Sequence, residues 1–88
     1  MPSKRAVVRS PDGLHARPAA ALAQRVVAAG ASVSLSRADK DAMAVDATSM
    51  LALMGLGLVR GDVVVLRSDA PGSDALLEEL GALIETAE

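Results

Sequence analysis

The stretch from Ser32 to Ser36 (SVSLS) alternates polar and apolar side chains without a break. This alternation is typical of a strand with one buried face, because successive side chains of a strand point to opposite sides. A sheet that is buried on one face only needs a layer of other elements on that face. In a chain of 88 residues, which is long enough for one core, the pattern predicts a two-layer fold with a single domain over residues 1–88.

The remaining sequence supplies further strands and helices in a regular order. Strands are predicted at Lys4–Arg9, Ala42–Ala47 and Val63–Leu66, and helices at Pro18–Ala29, at Met50–Met54 and around the apolar set Leu76, Leu77, Leu80, Leu83 and Ile84. Residues 10–13 are predicted to form the turn that ends the first strand. The first helix is predicted to end at a Gly30 cap and to direct one apolar face toward the core: Ala19, Leu22, Ala23 and Val26. The predicted order is strand, helix, strand, strand, helix, strand, helix. It predicts an α+β fold with an antiparallel sheet and all helices on one face, and it leaves the strand order open.

Composition excludes several classes of function. Lys and Arg number 9, Asp and Glu number 11, and the net charge is -2, with no aromatic Phe, Trp or Tyr. A nucleic-acid partner is therefore not expected, because binding needs a basic surface and often stacking side chains. The longest apolar run is too short to span a bilayer, so we expect no membrane insertion. One histidine and no cysteine predict neither a metal site nor a cofactor, and the lack of cysteine favours a cytoplasmic protein, which we expect to be a monomer.

The only histidine, His15, lies just before a predicted helix start. Proline is tolerated in a first helical turn and disfavours helical geometry in the residue before it, so the helix is predicted to begin near Pro18 with Arg17 outside it or at its boundary. The first N–H groups of a helix lack intrahelical partners and carry partial positive charge. An anion is therefore favoured beside His15, as a phosphate-carrying imidazole requires.

The same residues permit plainer interpretations. An isolated histidine is most often an ordinary loop residue, and Arg17 is equally compatible with a solvated charge. Ser49 is predicted to be the N-cap of the second helix, whatever other role it has. The apolar side chains of that helix are compatible with burial in the core as well as with docking of a partner.

Two motifs together resemble the bacterial HPr family of phosphocarrier proteins. They are Gly13–Ala19 (GLHARPA) and Ser49–Leu58 (SMLALMGLGL), followed by Gly61. The resemblance implies an open-faced β-sandwich of four antiparallel strands with three helices on one face. It also implies a carrier, rather than an independent enzyme, that accepts a phosphoryl group from enzyme I and passes it to enzyme IIA domains of sugar transporters.

The resemblance assigns roles to individual residues. It implies that His15 is phosphorylated on Nδ1, that Arg17 is the cation at the active centre, and that Ser49 is a candidate for phosphorylation by an ATP-dependent kinase. The implied partner-binding residues are Ala16, Pro18, Ala20, Gln24, Met50, Leu51 and Met54.

Three features depart from the family pattern. The segment 38–44 is longer than the usual tight loop, Leu51 replaces a frequent aromatic residue, and Thr48 replaces a frequent lysine. They bear on Ser49 regulation more than on the phosphoryl relay. One alternative is a regulatory module of the same fold, in a nitrogen-type branch or with a transcription regulator as partner. Another is an unrelated α+β ligand-binding module, which would not depend on His15.

Overall fold

The computed structural model describes residues 2–39, 43–70 and 72–86. The elements in chain order are β1 (Ser3–Val7), α1 (Ala16–Ala29), β2 (Val33–Arg37), β3 (Val45–Asp46), α2 (Met50–Gly55), β4 (Val63–Ser68) and α3 (Asp74–Thr86). This confirms the predicted order. Within the described ranges, no helix combines the length and the apolar character that crossing a bilayer requires.

The four strands form one antiparallel sheet in the order β1-β4-β2-β3. The central strand β4 pairs with β1 from Ser3 opposite Arg67 to Val7 opposite Val63, and with β2 on its other side. The helices cover one face of the sheet: α3 packs on β1 and β4, and α1 packs against both α2 and α3. The predicted α+β open-faced sandwich is therefore confirmed, and the strand order that the sequence left open is now defined.

The core lies between the sheet and the helices. Every residue predicted for the inner face of α1 is buried: Ala19, Leu22, Ala23 and Val26. The sheet contributes Ala6, Val33, Leu35, Val64 and Leu66, and α3 contributes Leu77, Leu80 and Ile84. Leu76 and Leu83 pack against this core with partial exposure. The helical spacing in the sequence therefore located the inner faces correctly.

Two sheet predictions need correction. Ser36 was expected on an exposed face, but its side chain is fully buried, and its Oγ accepts a hydrogen bond from Arg67 Nη1 at 3.4 Å. The long arginine side chain on the neighbouring strand covers it. Of the strand predicted at 42–47, Val45 and Asp46 form ladder pairs with β2, and the Ala47 N–H donates to the Val33 carbonyl at 2.9 Å. The chain then turns where the Asp46 carboxylate binds Thr48, and residue 42 lies outside the described residues.

Candidate functional site

His15 follows a tight reversal of the chain after β1. The N–H of Gly13 donates to the Ser10 carbonyl at 3.0 Å, and the N–H of Asp12 donates to Ser10 Oγ at 3.4 Å. Ser10 is buried, so the turn is closed around a satisfied serine. The predicted turn over residues 10–13 is confirmed, and it directs the chain toward α1.

The residues immediately before His15 are held by the chain segment that follows α2. Gly13 has a φ of +70°, and a Cβ atom there would collide with the carbonyl oxygen of Leu58 and lie 3.1 Å from Val59 Cα. The Leu14 N–H donates to that same carbonyl at 3.4 Å, and the Leu14 and Leu58 side chains are both buried in the core. Only glycine permits this close approach, which fixes the backbone one residue before the histidine.

His15 is itself the N-cap residue of α1. Its backbone is extended, with φ −85° and ψ −172°, and its carbonyl accepts the first intrahelical hydrogen bond, from the Ala19 N–H at 3.1 Å. The side chain makes no capping hydrogen bond, and the first turn contains no acidic residue. His15 is half-buried at the start of this helix, whose first N–H groups lack intrahelical acceptors and carry partial positive charge. The sequence therefore placed His15 correctly at a helix start.

The predicted boundary of α1 was wrong by two residues. The helix begins at Ala16, so Arg17 lies within the first turn and Pro18 is its third residue. Proline is tolerated there because the first N–H groups of a helix have no intrahelical acceptor, and its missing donor costs no hydrogen bond. The helix start is thus closer to His15 than the sequence indicated.

Arg17 supplies positive charge in this first turn. Its side chain is exposed, whereas the ion pairs within the described ranges engage Lys4, Arg25 and Arg37 with carboxylates elsewhere. A cation at a helix N-terminus is unfavourable for the helix dipole. Its position is readily explained by an anion bound next to it.

The predicted partner-binding residues lie on α1 and α2, two helices that pack together. Leu51 is 78% exposed, and Met50 and Met54 are 37% and 39% exposed, while Leu53 on the opposite side of α2 is fully buried. On α1, Ala16 and Gln24 are exposed and Pro18 and Ala20 are half-buried. One side of α2 therefore packs in the core, as one interpretation predicts. The other side faces outward, and docking of a partner there stays a prediction.

The sequence did not predict one exposed apolar residue near the loop that precedes His15. Val59 is 60% exposed, although it directly follows the buried Leu58 and belongs to the segment that contacts Gly13. The available signal was the turn at Arg60 and Gly61, since an apolar residue that precedes a turn lies outside the paired part of a strand. Val59 adds apolar surface next to the loop that presents His15.

Ser49 is the N-cap of α2, as predicted. Its Oγ accepts the Ala52 N–H at 3.2 Å, and the residue is half-buried. Just before it, Asp46 Oδ1 accepts hydrogen bonds from the N–H and the hydroxyl of Thr48, at 2.9 and 2.8 Å. These two bonds lower the pKa of Asp46, the backbone bond contributing most. The start of α2 is therefore closed by side chains.

Comparison with known proteins agrees with the fold. The family model "PTS HPr component phosphorylation site" matches residues 2–86. The chain is 43% identical over 84 residues to the phosphocarrier protein HPr of Streptomyces coelicolor, covering 96% of this chain and 88% of that protein. It is 37% identical over 82 residues to a multiphosphoryl transfer protein of Haemophilus influenzae, covering 91% of this chain but 16% of that longer protein.

A solved structure has a similar fold. The phosphocarrier protein HPr of Bacillus anthracis superposes with a TM-score of 0.83 at 27% sequence identity, with 96% of each chain covered. Sheet, helices and sequence thus define a small α+β phosphocarrier. The chain belongs to the HPr family of the phosphotransferase system.

Proposed function

We propose that His15 is the residue that carries the phosphoryl group, accepting it from enzyme I and releasing it to enzyme IIA domains. The observation that supports this most directly is the start of α1, where His15 provides the N-cap backbone but no capping side-chain bond. The first-turn N–H groups and Arg17 would then bind the oxygens of a phosphoryl group on the imidazole.

The chemistry needs little from the protein beyond position and charge. An imidazole nitrogen with a free lone pair, Nδ1 by the family resemblance, attacks phosphorus, and a nitrogen–phosphorus bond forms as the bond to the donor's leaving atom breaks. The other ring nitrogen keeps its proton, so no general base is required. Arg17 is exposed, so its guanidinium can share the equatorial oxygens with helix N–H groups while the phosphate stays accessible to the next partner.

The partner surface is part of the same proposal. The helix that carries Ala16, Pro18, Ala20 and Gln24 packs against α2, whose exposed apolar residues are Met50, Leu51 and Met54. Small side chains permit close approach of another backbone, and methionines adapt to partners of different shape. A carrier that meets both a donor and an acceptor needs such a surface. The proposal also includes the cytoplasmic location and the monomeric state that the sequence predicts.

Ser49 is the candidate site for regulation. A phosphate there would add negative charge at the start of α2, beside the docking residues Met50 and Leu51. The dipole at the helix start tolerates an anion, so α2 would keep its structure. Regulation would act by repelling a partner from the surface that α2 presents.

A phosphotransfer assay tests the central role of His15. Incubation with phosphoenolpyruvate and enzyme I is expected to give one acid-labile phosphate per chain, and because the sequence has a single histidine, phosphohistidine locates it at His15 without further mapping. The variant His15→Ala is expected to take up none, and Arg17→Met is expected to be labelled slowly. Ser49→Ala is the matched control, expected to be labelled at the normal rate.

Two results would contradict the proposal. Labelling of His15→Ala to the same extent as the wild-type chain would contradict the role assigned to His15. Circular dichroism checks that His15→Ala and Arg17→Met are folded. Stable labelling without discharge to any enzyme IIA domain would instead favour the regulatory module of the same fold, which keeps the phosphate as a signal.

A further inference from the structure

Arg37, the last residue of β2, joins three parts of the chain at the edge of the two layers. It follows Val33 and Leu35 at a spacing of two, so it lies on the helix-covered face of the sheet. Its Nη1 donates to the Leu56 carbonyl, at the C-cap of α2, at 3.3 Å. Its Nη2 lies 3.1 Å from Asp62 Oδ2, and the two side chains are only 27% and 21% exposed.

Asp62 in turn closes the segment between α2 and β4. Its Oδ2 accepts the Val59 N–H at 2.9 Å, and its own N–H donates to the Val59 carbonyl at 3.0 Å. Its carbonyl accepts the Val8 N–H at 2.9 Å, and the Gly61 N–H donates to the Val8 carbonyl at 2.7 Å. The same carboxylate oxygen therefore binds the Arg37 guanidinium and fixes the turn at residues 59–62.

This turn supports the histidine loop. Leu58, the residue before it, holds the Leu14 N–H through its carbonyl and leaves room for no side chain at Gly13. A shift of Leu58 and Val59 must therefore displace Gly13 or Leu14, because the backbones are already in contact. A displacement there moves His15 relative to the first turn of α1.

We infer that Arg37 and Asp62 are positioning residues for His15. Neither belongs to the surface assigned to the phosphoryl group or to the partner helices. The guanidinium holds the 59–62 turn through Asp62 and the end of α2 through Leu56, and the turn holds the residues before the histidine. The inference rests on the proposed phosphoryl transfer at His15, which is sensitive to small errors of geometry.

Enzyme I kinetics with the full chain test this inference. In Arg37→Met, which keeps an unbranched apolar stem but removes the charge and the donors, we expect kcat for phosphorylation of this carrier to fall by about tenfold while KM changes by less than about twofold. Arg37→Lys keeps the charge and is expected to recover part of kcat. Arg25→Met is the matched control, because it removes another partly exposed ion pair, with Glu79, on α1 and α3.

Asp62→Asn provides a second variant that does not depend on the folding of Arg37→Met. Its amide oxygen can still accept the Val59 N–H, so the turn can still form, but without the charge pair with Arg37 that holds it. We expect its kcat to fall in the same direction as in Arg37→Met, and the double variant to be no slower than Arg37→Met, because that variant already lacks the pair with Asp62.

Amide hydrogen exchange separates failure of this inference from failure of the proposed function. Exchange at Leu14 and Val59 is expected to be about tenfold faster in Asp62→Asn than in Arg25→Met, whether or not His15 is ever phosphorylated. An unphosphorylated wild-type chain would count against the proposed function alone. Unchanged exchange and kcat in Asp62→Asn and Arg37→Met, or a rise in KM at constant kcat, would overturn the positioning role.

Discussion

The starts of α1 and α2 differ in how the N-cap residue treats the first backbone N–H groups of the helix, which lack intrahelical acceptors. Ser49 caps α2 through its own side chain, with Asp46 and Thr48 closing the preceding turn. His15 occupies the same position in α1 but provides only its backbone, and its side chain makes no capping bond. The N-cap side chain thus closes the start of α2, whereas the His15 side chain is not used to cap the start of α1.

Helix length and packing explain why α1 tolerates an uncapped start. The helix has 14 residues, four of them buried in the core, and Gly30 in the left-handed conformation closes its other end by donating its N–H to Val27 O at 3.1 Å. The six residues of α2 bury only Leu53, so its cap contributes a larger share of its stability. The longer, more deeply packed helix is thus the one whose N-cap side chain makes no capping bond.

The largest expected effect concerns the support of the α1 start. Gly13→Ala is expected to destabilise the protein by about 3 kcal/mol, because it combines a positive φ with a collision against Leu58. Gly57→Ala is the control: its φ is +65° but nothing lies within 4 Å of the new Cβ, so we expect a cost of about 1 kcal/mol. Denaturant unfolding measures both. Equal losses would mean that the contact between Gly13 and Leu58 is unimportant.

An intermediate effect is expected at the closed start. Ser49→Ala removes the acceptor for the Ala52 N–H and is expected to cost about 1 kcal/mol of unfolding free energy, whereas Ser49→Gly is expected to cost only a few tenths. The midpoint of urea unfolding gives the difference. No loss in Ser49→Ala would show that water replaces the cap, and the two helix starts would then be equivalent.

The smallest effect is a gain. His15→Ser gives α1 the kind of cap that α2 has, and we expect it to be about 0.5–1 kcal/mol more stable than His15→Ala, while both variants lose phosphate uptake. Thermal unfolding of the two variants provides the measurement. Identical stability would indicate that the start of α1 is already satisfied, and the contrast with Ser49 would disappear.

Particular residues show how far the sequence could predict the fold and the site. The inner face of α1, the cap at Gly30 and the cap at Ser49 follow from helical spacing and from intrinsic preferences, which depend on near neighbours in the chain. The two-residue error at Ala16 arose because the rule for the residue before proline is weak in a first turn. Burial of Ser36 could not be predicted, since Arg67 covers it from another strand.

The sequence by itself determined the order of the elements, the α+β class and the place of His15 at a helix start, because local periodicity and turn residues encode them. Tertiary structure decided the strand order, the contact of Gly13 with Leu58 and the tie from Arg37 to Asp62. Each of these joins residues far apart in the chain, and such contacts form only when the sheet and helices pack together. The histidine is thus specified locally, while its exact support is a property of the assembled layers.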